Sequence, residues 1–354
     1  MSRKLITIST IMTLMSTSVI ADVPNVAADI APIHSLVSRV MDGVGAPKLI
    51  VQSGASPHGY RLRPSEAKAL QDADHVFWMG EELTPWLDSA IDTLATKASV
   101  TTLLDQEGII LHDFREGALF EAHDHSAHGD DDHDDHDDHD DHKDHDDHDD
   151  HDDHDDHKDH DDHDDHDDHD DHDDHKDHDD HDDHGSHDPH AWLSPENAKL
   201  WLNIIASKLS VSDPENAATY FMNAAAGQAE IEAMIAEVKA TLKPVQGGKF
   251  VVFHDAYQYF ENDFDFYASG AISLGDSSDP SPTRIEKVQK RIRDEGIQCV
   301  LAEPQFKKGL VATVMEGSDA TASVIDPLGA ELEAGPKLYT QLIKNMAKTL
   351  RNCL

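Results

Sequence analysis

Asp213-Pro214-Glu215-Asn216-Ala217-Ala218-Thr219-Tyr220 opens a stretch that runs to Val238-Lys239-Ala240-Thr241-Leu242-Lys243-Pro244, with no proline between its ends and one glycine, Gly227. Asp213 is a capping residue type, and Pro214 suits a first helical turn, where the missing N–H costs nothing. The spacing predicts one helix from about 213 to Leu242, about 43 Å long at 1.5 Å per residue. That exceeds a typical domain helix and reads as a rigid strut between two bodies.

Both flanks of the strut alternate strand-like and helix-like segments. On the N-terminal side, Val23 to Ala28 is an apolar run, and Lys48 to Gln52, Asp74 to Met79 and Val100 to Leu104 read as strands. Helices are expected over Ile33 to Asp42, after Ser65 as N-cap, over Leu83 to Leu94, and from a Ser194 cap to Leu209. On the C-terminal side, Phe250 to Phe253, Phe266 to Ile272, Cys299 to Ala302 and Ala322 to Asp326 read as strands. Ala256 to Asn262, a Ser281-capped run to Glu295, and Leu338 to Leu350 read as helices. Such alternation predicts an α/β fold of two lobes with parallel sheets, joined by one long helix. The expected division is 22–212, 213–243 and 244–354.

Charge separates one more body. The 354 residues carry a formal net charge of -44, of which residues 123–188 hold -33, with 36 Asp, 3 Lys and 22 of the 28 His. The rest carries -11, ordinary for an acidic protein. Residues 123–187 repeat His-Asp-Asp with Ala127 as the sole apolar residue, so they have nothing to bury and are expected to form a disordered loop inserted in the first lobe. Nucleic-acid binding is excluded, because no basic patch offsets this field.

Arg3 and Lys4 precede an uncharged run from Leu5 to Ile20, and Val19-Ile20-Ala21 resembles a cleavage site. Residues 1–21 therefore read as a signal peptide removed before Asp22. The apolar part, about 16 residues, is short of the ~20 needed to span a bilayer. An exported, soluble, monomeric protein is expected, in the periplasm. In an oxidising compartment Cys299 and Cys353 most simply form one disulfide, worth ~3–4 kcal/mol by loop entropy. Two free thiols are the alternative, and a soft-metal pair would need further ligands.

Outside the repeat stand six histidines: 34, 58, 75, 112, 190 and 254. His58 follows Ser56-Pro57, His190 follows Asp188-Pro189, and His254 ends a strand. Asp326 ends another, before Pro327-Leu328-Gly329. Ligand sites in α/β sheets lie at the carboxyl ends of strands. His58 and His190 belong to the first lobe, His254 and Asp326 to the second, so a shared site would lie in the cleft. Three imidazoles with a carboxylate or water form a tetrahedral zinc set, whereas exchanging imidazole for carboxylate moves preference toward manganese. The ordinary alternative for each is a hydrogen-bonded loop histidine. His34 near a helix start, His75 in a strand and His112 before the acidic loop are weaker candidates.

Ser56-Pro57-His58-Gly59-Tyr60-Arg61-Leu62-Arg63-Pro64-Ser65, Asp188-Pro189-His190-Ala191-Trp192-Leu193-Ser194-Pro195, Val252-Phe253-His254-Asp255-Ala256-Tyr257 and Asp326-Pro327-Leu328-Gly329 together resemble the metal-binding solute-binding proteins of ABC importers. The resemblance covers the mature chain in order. The His/Asp-rich insertion and the cysteines at 299 and 353 are similar to those of the zinc members. The resemblance implies two lobes with metal between them, His58, His190 and His254 as ligands, a membrane permease as partner, and Zn(II) as cargo. In some zinc members a glutamate precedes the first histidine; here Pro57 stands there and cannot ligate, so the fourth position falls to Asp326 or water. The loop would collect zinc loosely, its aspartates concentrating cations near imidazoles spaced three residues apart.

Rival classes have less behind them. An enzyme would need an open metal position and a general base. There is no His-Glu-x-x-His and no Gly-x-Ser-x-Gly, and Glu303 reads better as a hydrogen-bond partner than as a base. A manganese or broad-range importer component, and a metal store acting through the loop, are the other readings. Adhesion has no feature for or against it.

Overall fold

The computed structural model describes residues 23–115, 187–273, 280–305 and 308–354. The expected signal peptide, and the acidic loop up to residue 186, lie outside the described residues.

Each half holds a four-stranded, wholly parallel sheet. In the first, β1 (Val26–Ala28), β2 (Lys48–Leu49), β3 (His75–Trp78) and β4 (Ser99–Thr102) stand in the order β2-β1-β3-β4. In the second, β5 (Phe250–His254), β6 (Ala271–Ser273), β7 (Cys299–Ala302) and β8 (Thr321–Val324) repeat it as β6-β5-β7-β8. The crossovers are α1 (Ala31–Val40), α2 (Pro64–Asp72) and α3 (Pro85–Leu94), then α6 (Gln258–Phe264), α7 (Pro282–Glu295) and α8 (Lys308–Met315). In both sheets the chain leaves the first strand on one side and returns on the other. That opens a switch point at the carboxyl ends of the two central strands. β1, β3 and β5 are buried along their whole length, as helix-covered parallel strands must be.

Between the sheets run α4 (Pro195–Ser212) and α5 (Ala217–Leu242), and α9 (Leu338–Cys353) closes the molecule. Ser194 caps α4 through Asn197 N–H at 3.3 Å. α5 buries Tyr220, Ala224, Gly227, Ile231, Met234, Val238 and Leu242. Their three- and four-residue steps make one stripe along the helix. It packs on α4 and α1 from the first half and on α9 from the second. A Cβ at Gly227 would stand 2.9 Å from Leu202 Cδ1 and 3.2 Å from Arg39 Cγ. Glycine therefore allows the close approach of α5 to α4 and α1. One apolar cluster runs from Val26 in β1 to Leu350 in α9, so the two sheets share a core around α5.

Three expectations need correction. α5 begins at Ala217, because Asp213 closes α4 instead. The Asp213 carboxylate accepts from Asn216 Nδ2 and Tyr220 O–H, both at 2.8 Å. α2 is capped at Arg63, not Ser65. Pro64 fixes the first helical φ, and the Glu66 carboxylate reaches back to Arg63 N–H at 2.7 Å. The strand expected over Phe266 to Ile272 is only Ala271–Ser273. α8 had no anticipating pattern.

Cys299 at the head of β7 and Cys353 at the end of α9 form a disulfide with Cα atoms 5.6 Å apart. It staples the last helix to the second sheet and removes the free-thiol alternative. No helix among the described residues is long and apolar enough to cross a membrane.

Candidate metal centre

His254 is the last residue of β5. The register pairs Phe250 with Cys299, Val251 with Val300 and Val252 with Leu301. Carried two residues further, it sets Glu303 beside His254. The buried Glu303 carboxylate accepts from His254 Nδ1 at 2.6 Å and from Gln305 Nε2 at 2.9 Å. The structure thus gives Glu303 the hydrogen-bonding role expected of it.

His190 sits on the turn that enters a 3₁₀ segment, Ala191–Leu193, ahead of α4. Asp188, two residues earlier, folds back on it. One Asp188 oxygen accepts from both the His190 backbone N–H, at 3.0 Å, and its Nδ1, at 2.6 Å. Carboxylates on Nδ1 fix the tautomer of both imidazoles and leave Nε2 as the lone-pair atom. The two Nε2 atoms lie 3.3 Å apart. A tetrahedral zinc with Zn–N bonds of about 2.0–2.1 Å has ligand edges of about 3.3–3.4 Å. Two lone pairs facing one another across that edge fit a cation between them.

His58 arrives from the loop after β2. Trp86 Nε1 donates to the Pro57 carbonyl at 2.6 Å, and the Tyr60 ring lies 5.6 Å from Trp86. Tyr60 O–H is tied to Glu66 at 2.8 Å. These contacts fix the loop on either side of His58. The His58 ring is 5.5 Å from that of His190, which is 5.2 Å from that of His254. One ligating nitrogen from each of the three lies within 4.8 Å of the others. His190 and His254 are buried, His58 half-buried.

Asp326 lies two residues beyond the end of β8, not at its last position as expected, because the strand stops at Val324, and it is not in that group. Its oxygens accept the N–H groups of Leu328 at 3.0 Å, Gly329 at 2.8 Å and Ala330 at 2.5 Å. The loop it organises is held to the first half by Trp192 Nε1 on the Pro327 carbonyl, at 2.8 Å.

The weaker histidines lie elsewhere. His34 bonds to the Pro47 carbonyl at 3.2 Å, and His75 to Ser212 Oγ. The His112 ring lies 4.7 Å from that of Tyr259, tilted by 48°, and faces Asn262. Burial lowers the pKa of all three, which keeps them neutral. Sequence reasoning missed the role of Asp188; the Asp-Pro-His spacing, a side chain able to fold back two residues on, is the signal that carries it.

Two parallel sheets around one long helix make the fold that of the metal-binding solute-binding proteins. A crystal structure of ZnuA superposes with a TM-score of 0.66 at 18% identity, over 94% of this chain and 99% of that one. The family described as zinc-uptake complex component A, periplasmic, matches residues 26–353. The high-affinity zinc uptake system protein ZnuA of Brucella abortus (strain 2308) is 47% identical over 329 residues, 93% of this chain and 91% of the relative. That of Paracoccus denitrificans is 43% identical over 335 residues, 94% and 93%. The chain belongs to the ZnuA family.

Proposed function

We propose that this protein captures Zn(II) between its two halves and delivers it to the membrane permease of an ABC importer. The observation that carries the reading is the pair of carboxylate-oriented imidazoles, His190 and His254, with their Nε2 atoms one zinc edge apart. His58 supplies the third ligand, and Asp326 or water the fourth. The three N–H groups on Asp326 favour water, and a three-histidine site favours zinc over manganese. The names of the relatives agree with zinc.

In this reading 1–21 directs export and is cleaved, and the monomeric protein works in the periplasm. Lobe 22–212 contributes His58 and His190, lobe 244–354 contributes His254, and 213–243 connects them. A connecting helix packed along its whole length permits small lobe movements only. Release therefore needs a permease that binds the distorted, metal-free form better than the loaded one. The His/Asp-rich insertion collects and buffers zinc at many weak sites, each ion held loosely and exchanging readily.

The test is a chelator-competition titration of the mature protein lacking 123–187. One tight zinc per chain, lost in His254→Ala and much weaker for manganese, is the expected result. No tight zinc without the insertion would make the protein a store acting through the loop. Manganese held as firmly as zinc would make it a broad-range receptor.

A further inference from the structure

The insertion springs from a root that is stitched to the second half. On its two sides Asp113 and His187 form an antiparallel bridge, and Asp188 N–H donates to the His112 carbonyl at 2.7 Å. The Tyr259 hydroxyl of α6 lies over this root. It donates to the Asp188 carbonyl at 2.7 Å and accepts from His112 N–H at 3.1 Å.

Arg115 stands on the same root and crosses to the second half. Its Nε donates to both oxygens of Asp255 at 3.0 Å. Its Nη1 donates to Glu261 at 2.6 Å, and Nη2 reaches both carboxylates. The side chains of Arg115, Asp255 and Glu261 are 15%, 7% and 1% exposed. Asp255 is joined by a peptide bond to His254, and Asp188 holds His190. The guanidinium therefore ties the segment behind one oriented imidazole to the segment behind the other.

We infer that Arg115 is a positioning residue for the metal: by clamping Asp255 and Glu261 onto the root of the insertion, it holds His254 in register with His190 and slows loss of the ion. The inference rests on the proposed cleft site for zinc. Two buried carboxylates side by side repel each other, and the guanidinium between them offsets that repulsion. Arginine suits the role because its planar fork engages two carboxylates at once; a lysine ammonium keeps the charge but not the fork. A shift of one ångström at Asp255 would move His254 off a zinc edge that is itself only 3.3 Å long.

The experiment is stopped-flow release of zinc into excess EDTA from the full-length mature protein loaded with less than one equivalent of the metal, with apo-protein melting measured alongside. Arg115→Lys is expected to fold, to melt within a few degrees of wild type, and to release zinc at least about tenfold faster. Release within about twofold of wild type would overturn the inference. If Arg115→Lys does not fold, the triple variant Arg115→Gln, Asp255→Asn, Glu261→Gln takes its place. It removes every charge of the cluster and keeps amides able to hydrogen-bond, so it separates lost fold from lost positioning. It too should release zinc at least about tenfold faster, and wild-type release from it would overturn the inference. A wild-type protein that held no zinc would remove the cleft reading, and this inference with it.

Discussion

Glu303 makes no contact with the ion in the proposed site, yet its carboxylate decides which nitrogen of His254 is offered. Outer partners of this kind typically carry 10–100-fold of metal affinity. Glu303→Gln should therefore weaken zinc by about that factor in a chelator-competition titration; an unchanged Kd would mean the tautomer is set otherwise. A second residue prediction concerns His75, whose imidazole is held neutral by burial, with Lys208 assisting and Asp74 opposing. Its folded pKa lies below the ordinary value, so its contribution is complete above pH ~6.5 and is lost as pH falls further. The stability advantage of wild type over His75→Gln should shrink between pH 7.5 and 5.5 in denaturant melts, by at most about 1.4 kcal/mol per pH unit. The three clustered histidines were legible because each follows a strand or a Pro-containing turn. Glu303 needed the strand register to connect positions 49 apart, and register is not written in composition.

At the scale of elements, Gly227 sets how closely α5 lies on α4 and α1. Gly227→Leu would drive carbons into the space of Leu202, which is fully buried. Overpacking costs about 1–3 kcal/mol and more for several carbons, and the ~1 kcal/mol gained in helix propensity offsets only part. A loss of about 2 kcal/mol in chemical denaturation is expected; a stabilised variant would show that the helices can separate freely. The strut itself was legible from its length and lack of proline. Its start was not, because Asp213-Pro214 serves two helices, ending α4 and bracing α5 through Tyr220. α2 was misplaced for a related reason: its cap is assembled backwards, from Glu66 to Arg63. α8 spans only eight residues, too few for its periodicity to stand out.

For the whole molecule, the proposed ligands, drawn from both halves, and one shared core couple the two halves. Calorimetry should show a single transition for the globular part, raised by zinc as a whole. At free zinc a thousandfold above Kd the stabilisation is about 4 kcal/mol. Two separate transitions, with zinc moving only one, would mean that the site belongs to one half. Family and architecture were legible together, since four short motifs in order constrain a chain more than any one does. The contact between root and α6 was not, since it joins residues far apart through side chains rather than pattern. The order of the proposed ligands along the chain carries a meaning in time. A protein made from its N-terminus has His58 early and His190 only past the middle, and lacks the full triad until residue 254 arrives. His254 stays unoriented until Glu303 follows. For most of its synthesis, then, the nascent chain lacks the three-histidine cluster, and the last imidazole of that cluster is oriented only once β7 has been made.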